Sequence, residues 1–240
     1  MAGVSLNTLL FAAVGGIIPT FFWLWFWLTK ESDHDARPGL VVLAYIGGML
    51  GVLLLLPLRP FVEGLNLQPD QITLLYAFLE ELIKFGLIAL MTFGHSSIND
   101  GSDYTIYLVT GALGFSALEN TLYLINPIMQ NTDLQSLLVT GNLRFFGATV
   151  LHSISVALVG VILGLAFSAG SFVRLIHIIV GLVLATGLHT AFNYFIMQDT
   201  RQGTIIAIAG IWFVAVIVIL LFDRLKALQA NITNPDNPLA

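Results

Sequence analysis

A chain of 240 residues that is 57% hydrophobic and only 10% charged, with a mean hydropathy of +0.91, departs from the soluble average of about half apolar and about a quarter charged. It is suited to lipid. The absence of cysteine excludes disulfides, thiolate catalysis and thiolate metal ligands, so any metal falls to His, Asp or Glu. A net charge of -5 without a basic run excludes nucleic acid as a partner.

A spanning helix needs roughly 20 apolar residues, and the first such stretch, Leu6 to Thr29, has no Lys or Arg before it. It exceeds a signal-peptide core and reads as a retained first helix. Further spans follow at Leu40 to Leu58, Thr73 to Phe93, Asp103 to Ile125, Gly141 to Phe167, Phe172 to Met197 and Gly203 to Phe222. The stretch from Asp133 to Ser168 is long for one span, so its beginning can form a short interfacial or re-entrant helix and bring seven spans to eight. The expectation is an all-α polytopic membrane protein, a bundle of seven or eight transmembrane helices forming one domain over residues 1–230, with a disordered tail at 231–240. Gly47/Gly51 and Gly111/Gly114 let helix backbones approach. Short connections such as Ser32-Asp33-His34-Asp35 and Ser96-Ser97-Ile98-Asn99-Asp100-Gly101 carry turn chemistry. With seven spans, Lys30, Arg37, Arg174, Arg224 and Lys226 lie on one side and Arg59 and Arg201 on the other. The positive-inside rule then places the N-terminus outside and the C-terminus in the cytosol.

Within the spans stand Glu80, Glu81, Lys84, Glu119, Arg144, His152 and His189. An insertion cost of at least about 2.5 kcal/mol for each charged group at mid-bilayer makes a functional interior cluster the default reading. Glu80 and Lys84 share a face at i,i+4 while Glu81 points about 100° away, so the two glutamates have different neighbours. Phe115, Glu119 and Tyr123 repeat every four residues, Arg144 and His152 lie within about 80° of each other, and His189 and Asn193 share a face. Measured from one face of the bilayer at ~1.5 Å per residue, Glu80, Glu119, His152 and His189 lie ~11, ~9, ~17 and ~12 Å deep. They can converge in one leaflet half, external under this orientation. His34 and His95 read as solvated loop residues, and His177 sits at the opposite face, outside the site.

Two carboxylates and two histidines suit a metal site of Glu119, His152 and His189 with a separate glutamate base, the division of labour in a Zn2+ hydrolase. The same groups without metal suit a glutamate that activates water. An asparagine such as Asn193 is placed to orient a histidine or bind the oxyanion, Lys84 to offset one carboxylate, and Arg144 to offset Glu119 or bind a substrate carbonyl.

At these residues the chain resembles the PrsW-type intramembrane proteases, grouped with CAAX prenyl proteases and bacteriocin-immunity-type proteins in one superfamily. The matching elements are EExxK as Glu80-Glu81-x-x-Lys84, FxxxE as Phe115-x-x-x-Glu119, a histidine on the following helix at His152, and HxxxN as His189-x-x-x-Asn193. CAAX-type members carry histidine at the Glu119 position and typically EExxxR, so glutamate here favours the PrsW branch. The resemblance implies a multi-pass protease of the prokaryotic cell membrane. Its implied substrate is a membrane-anchored protein, such as a single-span anti-sigma factor cut on the extracytoplasmic side in site-1 fashion. It implies catalytic roles for Glu80, Glu81, Glu119, His152, His189 and Asn193, and leaves open whether metal or glutamate activates the water. The alternatives are a CAAX-type prenyl-protein protease and, from another class, a proton- or ion-coupled transporter; the absence of an evident internal repeat or broken helix speaks against the latter.

Overall fold

Every apolar segment becomes a long helix in the computed structural model, which describes residues 5–31, 36–95, 98–130 and 133–233. The Ser32-Asp33-His34-Asp35 turn, Ser96-Ser97 and residues 234–240, most of the expected tail, lie outside the described residues. The helices are α1 (Leu6–Lys30), α2 (Pro38–Leu55), a short α3 (Leu58–Glu63), α4 (Pro69–Thr92), α5 (Gly101–Met129), α6 (Leu134–Leu143), α7 (Thr149–Leu165), α8 (Ser171–Met197) and α9 (Arg201–Thr233). There is no strand among the described residues.

The expected re-entrant helix is not separate. From Leu134 the chain runs through α6, one π-helical turn at Arg144–Ala148, and α7 without a break. The fifth long helix therefore begins well before Gly141, and the count stays at seven long helices among the described residues. Six of them are long and apolar enough to cross a membrane. The seventh, α4, has 24 residues, which at ~1.5 Å each is long enough to span, and it carries the charged residues of the site. Large apolar side chains such as Phe11, Trp25, Leu90, Val183 and Phe213 are more than half exposed. On a soluble monomer such surface would be a liability; here it is the lipid face of a multi-pass membrane protein.

The centre is α5, packed against α1, α2, α4, α7 and α9. Every residue from Gly101 to Ala117 is buried, and the segment is rich in Gly, Ala, Ser and Thr, the residues that let helices close up where lipid offers no hydrophobic drive. The tightest crossing is α2 on α5. A methyl at Gly48 would collide with the Gly111 carbonyl, and one at Gly114 with the Tyr45 carbonyl. Of the glycines singled out in the sequence, Gly111 and Gly114 do this work, and Gly48 joins them.

At the far end of this crossing from Glu119, the last turn of α1 meets the first turn of α5. Burial there pushes the Glu31 carboxyl up to about 7, with a hydrogen bond from Ser102 and the charge of Lys226 pulling the other way.

Candidate active site

Four helices deliver the polar residues to one place. On α4 the inward stripe is Ala77, Glu81, Lys84, Ile88 and Thr92, so Glu81 lies on the buried face and Glu80 at its edge. Lys84 accordingly pairs with Glu81 at 2.7 Å, an i,i+3 contact between two fully buried side chains, and not with its i+4 partner Glu80. The Lys84 ammonium also reaches His152 Nδ1 at 2.9 Å and sits 4.7 Å over the Phe115 ring. An ammonium only donates. His152 Nδ1 is therefore the acceptor, and its ring proton lies on Nε2, which gives it to Glu119 Oε2 at 3.0 Å.

Glu119 is held from the other side by Arg144, whose Nη2 donates to Oε2 at 2.6 Å. Arg144 Nε donates to Asn120 Oδ1, and the guanidinium lies 4.4 Å over the Tyr123 ring. Asn120 is anchored by donating to Thr149 Oγ1 at 3.0 Å and Ser116 Oγ at 3.2 Å. In an unbroken α-helix Arg144 and His152 would stand about 80° apart; the extra residue of the wide π turn brings them to roughly 20°. That turn, closed by Thr149 N–H donating to Arg144 O, is why both side chains meet one Glu119 oxygen. Trp212 on α9 stabilises it by donating to the Phe146 carbonyl at 2.9 Å.

From α8, His189 Nδ1 donates to Glu81 Oε1 at 2.6 Å. A neutral His189 then presents an Nε2 lone pair to Glu80 Oε2 at 3.6 Å. Two acceptors face each other, and Glu80 Oε2 is buried without a hydrogen-bond partner among the described residues. A cation held by both would satisfy them. At this site Glu80, His152 and His189 offer three metal-ligand atoms within 4.8 Å of one another, the two histidines buried and Glu80 partly so. The carboxylate in it is Glu80, where the sequence reading expects Glu119; Glu119 is already engaged by Arg144 and His152. The donor set and the orphaned Glu80 oxygen suit Zn2+. His152 would join such a set as a neutral ring through Nε2 only if Lys84 gave a proton to Nδ1 as the Nε2 proton left.

The site opens outward. A cavity of about 20 Å³ is lined by Glu80, Glu119, Tyr76, Phe115 and Arg59, room for one water. It adjoins a groove of about 480 Å³ that shares Glu119 and Arg59 and adds Tyr123, Asn126, Pro127, Gln130 and Thr140. Pro127 has no N–H, so the Tyr123 carbonyl lacks its helical donor, leaving an acceptor beside the groove. Asn193 stands one turn beyond His189, half-buried and without a side-chain hydrogen bond among the described residues, and does not line either cavity. His177 bonds the Val173 carbonyl of its own helix at 2.8 Å, and His95 is exposed; both stay outside the site. The sequence reading missed Ser116, Thr149, Tyr76 and Arg59. Only the i,i+4 step from Ser116 to Asn120 hinted at the polar strut behind Arg144.

An all-helical, multi-pass membrane protein that gathers three glutamates, two histidines and a lysine from four helices is of the intramembrane hydrolase class. Residues 36–221 match the PrsW family of intramembrane metalloproteases, and the chain belongs to that family as an intramembrane protease. It is 26% identical over 198 residues to Protease PrsW of Geobacillus kaustophilus, covering 78% of this chain and 80% of that one. It is 25% identical over 185 residues to Protease PrsW of Bacillus subtilis, covering 75% and 79%. With Protease PrsW of Halalkalibacterium halodurans it shares 25% over 221 residues, covering 87% and 95%. No solved structure matches the chain.

Proposed function

We propose that the chain hydrolyses a peptide bond of a single-span membrane protein of the anti-sigma-factor type, with Glu80 as the base that activates water. The observation that carries this reading is the one-water cavity walled by Glu80 and Glu119 at the inner end of a polar groove. Glu80 and Glu81 each keep one oxygen without a partner among the described residues, but Glu80 lines the water cavity, whereas Glu81 is fully buried and its Oε1 is held by Lys84 and His189. Glu80 takes a proton from the water as its oxygen attacks the scissile carbonyl, then passes that proton to the leaving amine. Glu81 orients His189; Lys84 offsets Glu81 and fixes the His152 ring; His152 and Arg144 fix Glu119 on the far wall of the water site. Asn193 lines neither cavity, so a role at the developing oxyanion is supported by the family resemblance alone.

A metal held by Glu80, His152 and His189 would polarise the scissile carbonyl and acidify a bound water. As a ligand Glu80 would not be free to act as the base, and the acidified water would supply the nucleophile in its place. The distribution of Lys and Arg supports an outside N-terminus, a cytosolic C-terminus and a site in the external leaflet half.

The test is cleavage of a panel of single-span substrates by the purified, reconstituted chain. Products cut near the external membrane face, absent with Glu80→Gln, are expected. Activity lost on thorough chelation and regained with Zn2+ assigns the metal form, and activity indifferent to chelation assigns the glutamate form. Glu80→Gln cleaving at the wild-type rate would sink the assignment of the base.

A further inference from the structure

A second cluster of acids lies about 24 Å along α5 from Glu119, at ~1.5 Å per residue, and plays no part in the proposed hydrolysis. Glu31 follows the last turn of α1, Asp100 caps α5 and Asp103 sits in the first turn of α5. They are 2%, 8% and 5% exposed, and one oxygen of each lies within 4.8 Å of the others.

Helix capping accounts for two of the three. Asp100 Oδ1 accepts from Ser102 N at 2.6 Å and Asp103 N at 3.3 Å; Asp103 Oδ2 accepts from Asn99 N at 2.6 Å and Asp100 N at 3.2 Å. It does not account for Glu31, which reaches in from another helix. Its Oε1 accepts from Ser102 Oγ at 2.8 Å, but its Oε2 is buried with no hydrogen-bond partner among the described residues. Lys226 of α9 acts on Glu31, and its ammonium also donates to the Lys30 carbonyl at 2.6 Å. Taking ions out of water costs several kcal/mol each unless opposite charge is brought in with them.

We propose that Glu31, Asp100 and Asp103, with the Ser102 hydroxyl, bind a hard divalent cation, Ca2+ before Mg2+, that ties the end of α1 to the start of α5. The donors are all oxygen, the set that hard cations take and that zinc sites with histidine do not resemble. Oxygens sharing one Ca2+ at about 2.3–2.6 Å stand up to roughly 5 Å apart, a limit that the 4.8 Å bound on this cluster satisfies, and Ca2+ accepts a less regular ligand set than Mg2+, which demands a near-ideal octahedron. The cluster lies at the end of α1 and the start of α5. What the cation would fix is the seam between α1 and α5, which pack along much of their length.

The test uses the full chain in non-ionic detergent, stripped with EGTA, in a Glu80→Gln background so that the active-site cluster lacks its carboxylate. Calorimetry and thermal unfolding follow added CaCl2 and MgCl2. One Ca2+ per chain is expected, raising the melting temperature and binding at least about tenfold tighter than Mg2+. Glu31→Gln should weaken Ca2+ binding at least about tenfold, since affinity follows ligand charge, yet melt no lower than its parent in EGTA, because it removes a buried charge that lacks a full set of partners. Asp103→Asn, which keeps an oxygen to cap α5, should weaken binding likewise and serves if Glu31→Gln does not fold. No Ca2+ response up to about 10 mM, beyond the weakest known protein sites, would overturn the proposal. So would a response equal in parent and both variants, or stabilisation by acid alone, which would mean a shared proton. None of these readouts depends on peptide cleavage, so this proposal and the protease reading can fail separately.

Discussion

Removing Lys84 should be among the most damaging single changes available in the bundle. Its ammonium and the Glu81 carboxylate are both 0% exposed and 2.7 Å apart, so Lys84→Met leaves a buried carboxylate with no neighbouring cation from α4 and leaves His152 Nδ1 without its donor. Breaking a buried pair from one side typically costs about 3–5 kcal/mol, a large share of the ~5–15 kcal/mol that holds a domain folded. The pair itself is worth much less than that, because its attraction is largely offset by the loss of hydration. The double variant Lys84→Met/Glu81→Gln should therefore recover about 2 kcal/mol or more relative to Lys84→Met, since the Glu81→Gln change removes the charge but keeps a carbonyl oxygen to accept from His189 Nδ1. Equilibrium unfolding in detergent micelles of the wild type, both single variants and the double completes the cycle. A Lys84→Met protein within about 0.5 kcal/mol of wild type, or a double variant no more stable than Lys84→Met, would refute the reasoning, because either would mean that Glu81 carries no uncompensated charge.

Two further outcomes follow from the geometry. Arg144→Lys keeps the charge but loses the fork that joins Glu119 to Asn120; cleavage should fall by about 10²-fold, on the scale seen when positioning is lost, while the melting temperature barely moves, and an unchanged rate would remove Arg144 from the site's support. Gly48→Ala drives a methyl into the Gly111 carbonyl, whereas Gly39 has nothing within 4 Å of the corresponding position. Overpacking of about 1–3 kcal/mol or more is expected at Gly48 and near-neutrality for Gly39→Ala, compared by thermal unfolding.

Hydropathy alone makes the fold class legible, because each span must satisfy its backbone within one helix and so announces itself by length and apolarity. The site residues are legible for a related reason: a charge inside a span is costly enough that Glu80, Glu81, Lys84, Glu119, Arg144, His152 and His189 stand out before any fold is known. Helical arithmetic also brings four of them to a common depth, and the structure joins those four helices through one chain of hydrogen bonds from His189 through Glu81, Lys84 and His152 to Glu119. The arithmetic stops where helices cease to be ideal or where i,i+3 and i,i+4 compete. Lys84 chooses Glu81 over Glu80 because the inward stripe of α4 decides which carboxylate has no water to turn to. Arg144 reaches Glu119 because a π turn, which no periodicity in 141–167 announces, rotates it into line with His152.

What the sequence by itself determined is the solvent: apolar runs fix how many helices form, and stranded charges fix which residues must find partners inside. Only the tertiary structure decided who those partners are. Partner choice depends on angstrom-scale differences in helix rotation and packing, set where Gly48 meets Gly111 and where the π turn widens α6 into α7. It is also why Glu31, which looks like an ordinary loop acid in the sequence, ends buried beside Asp100 and Asp103. Its burial is created by α5 and α9 closing over the end of α1, and nothing local to Glu31 encodes it.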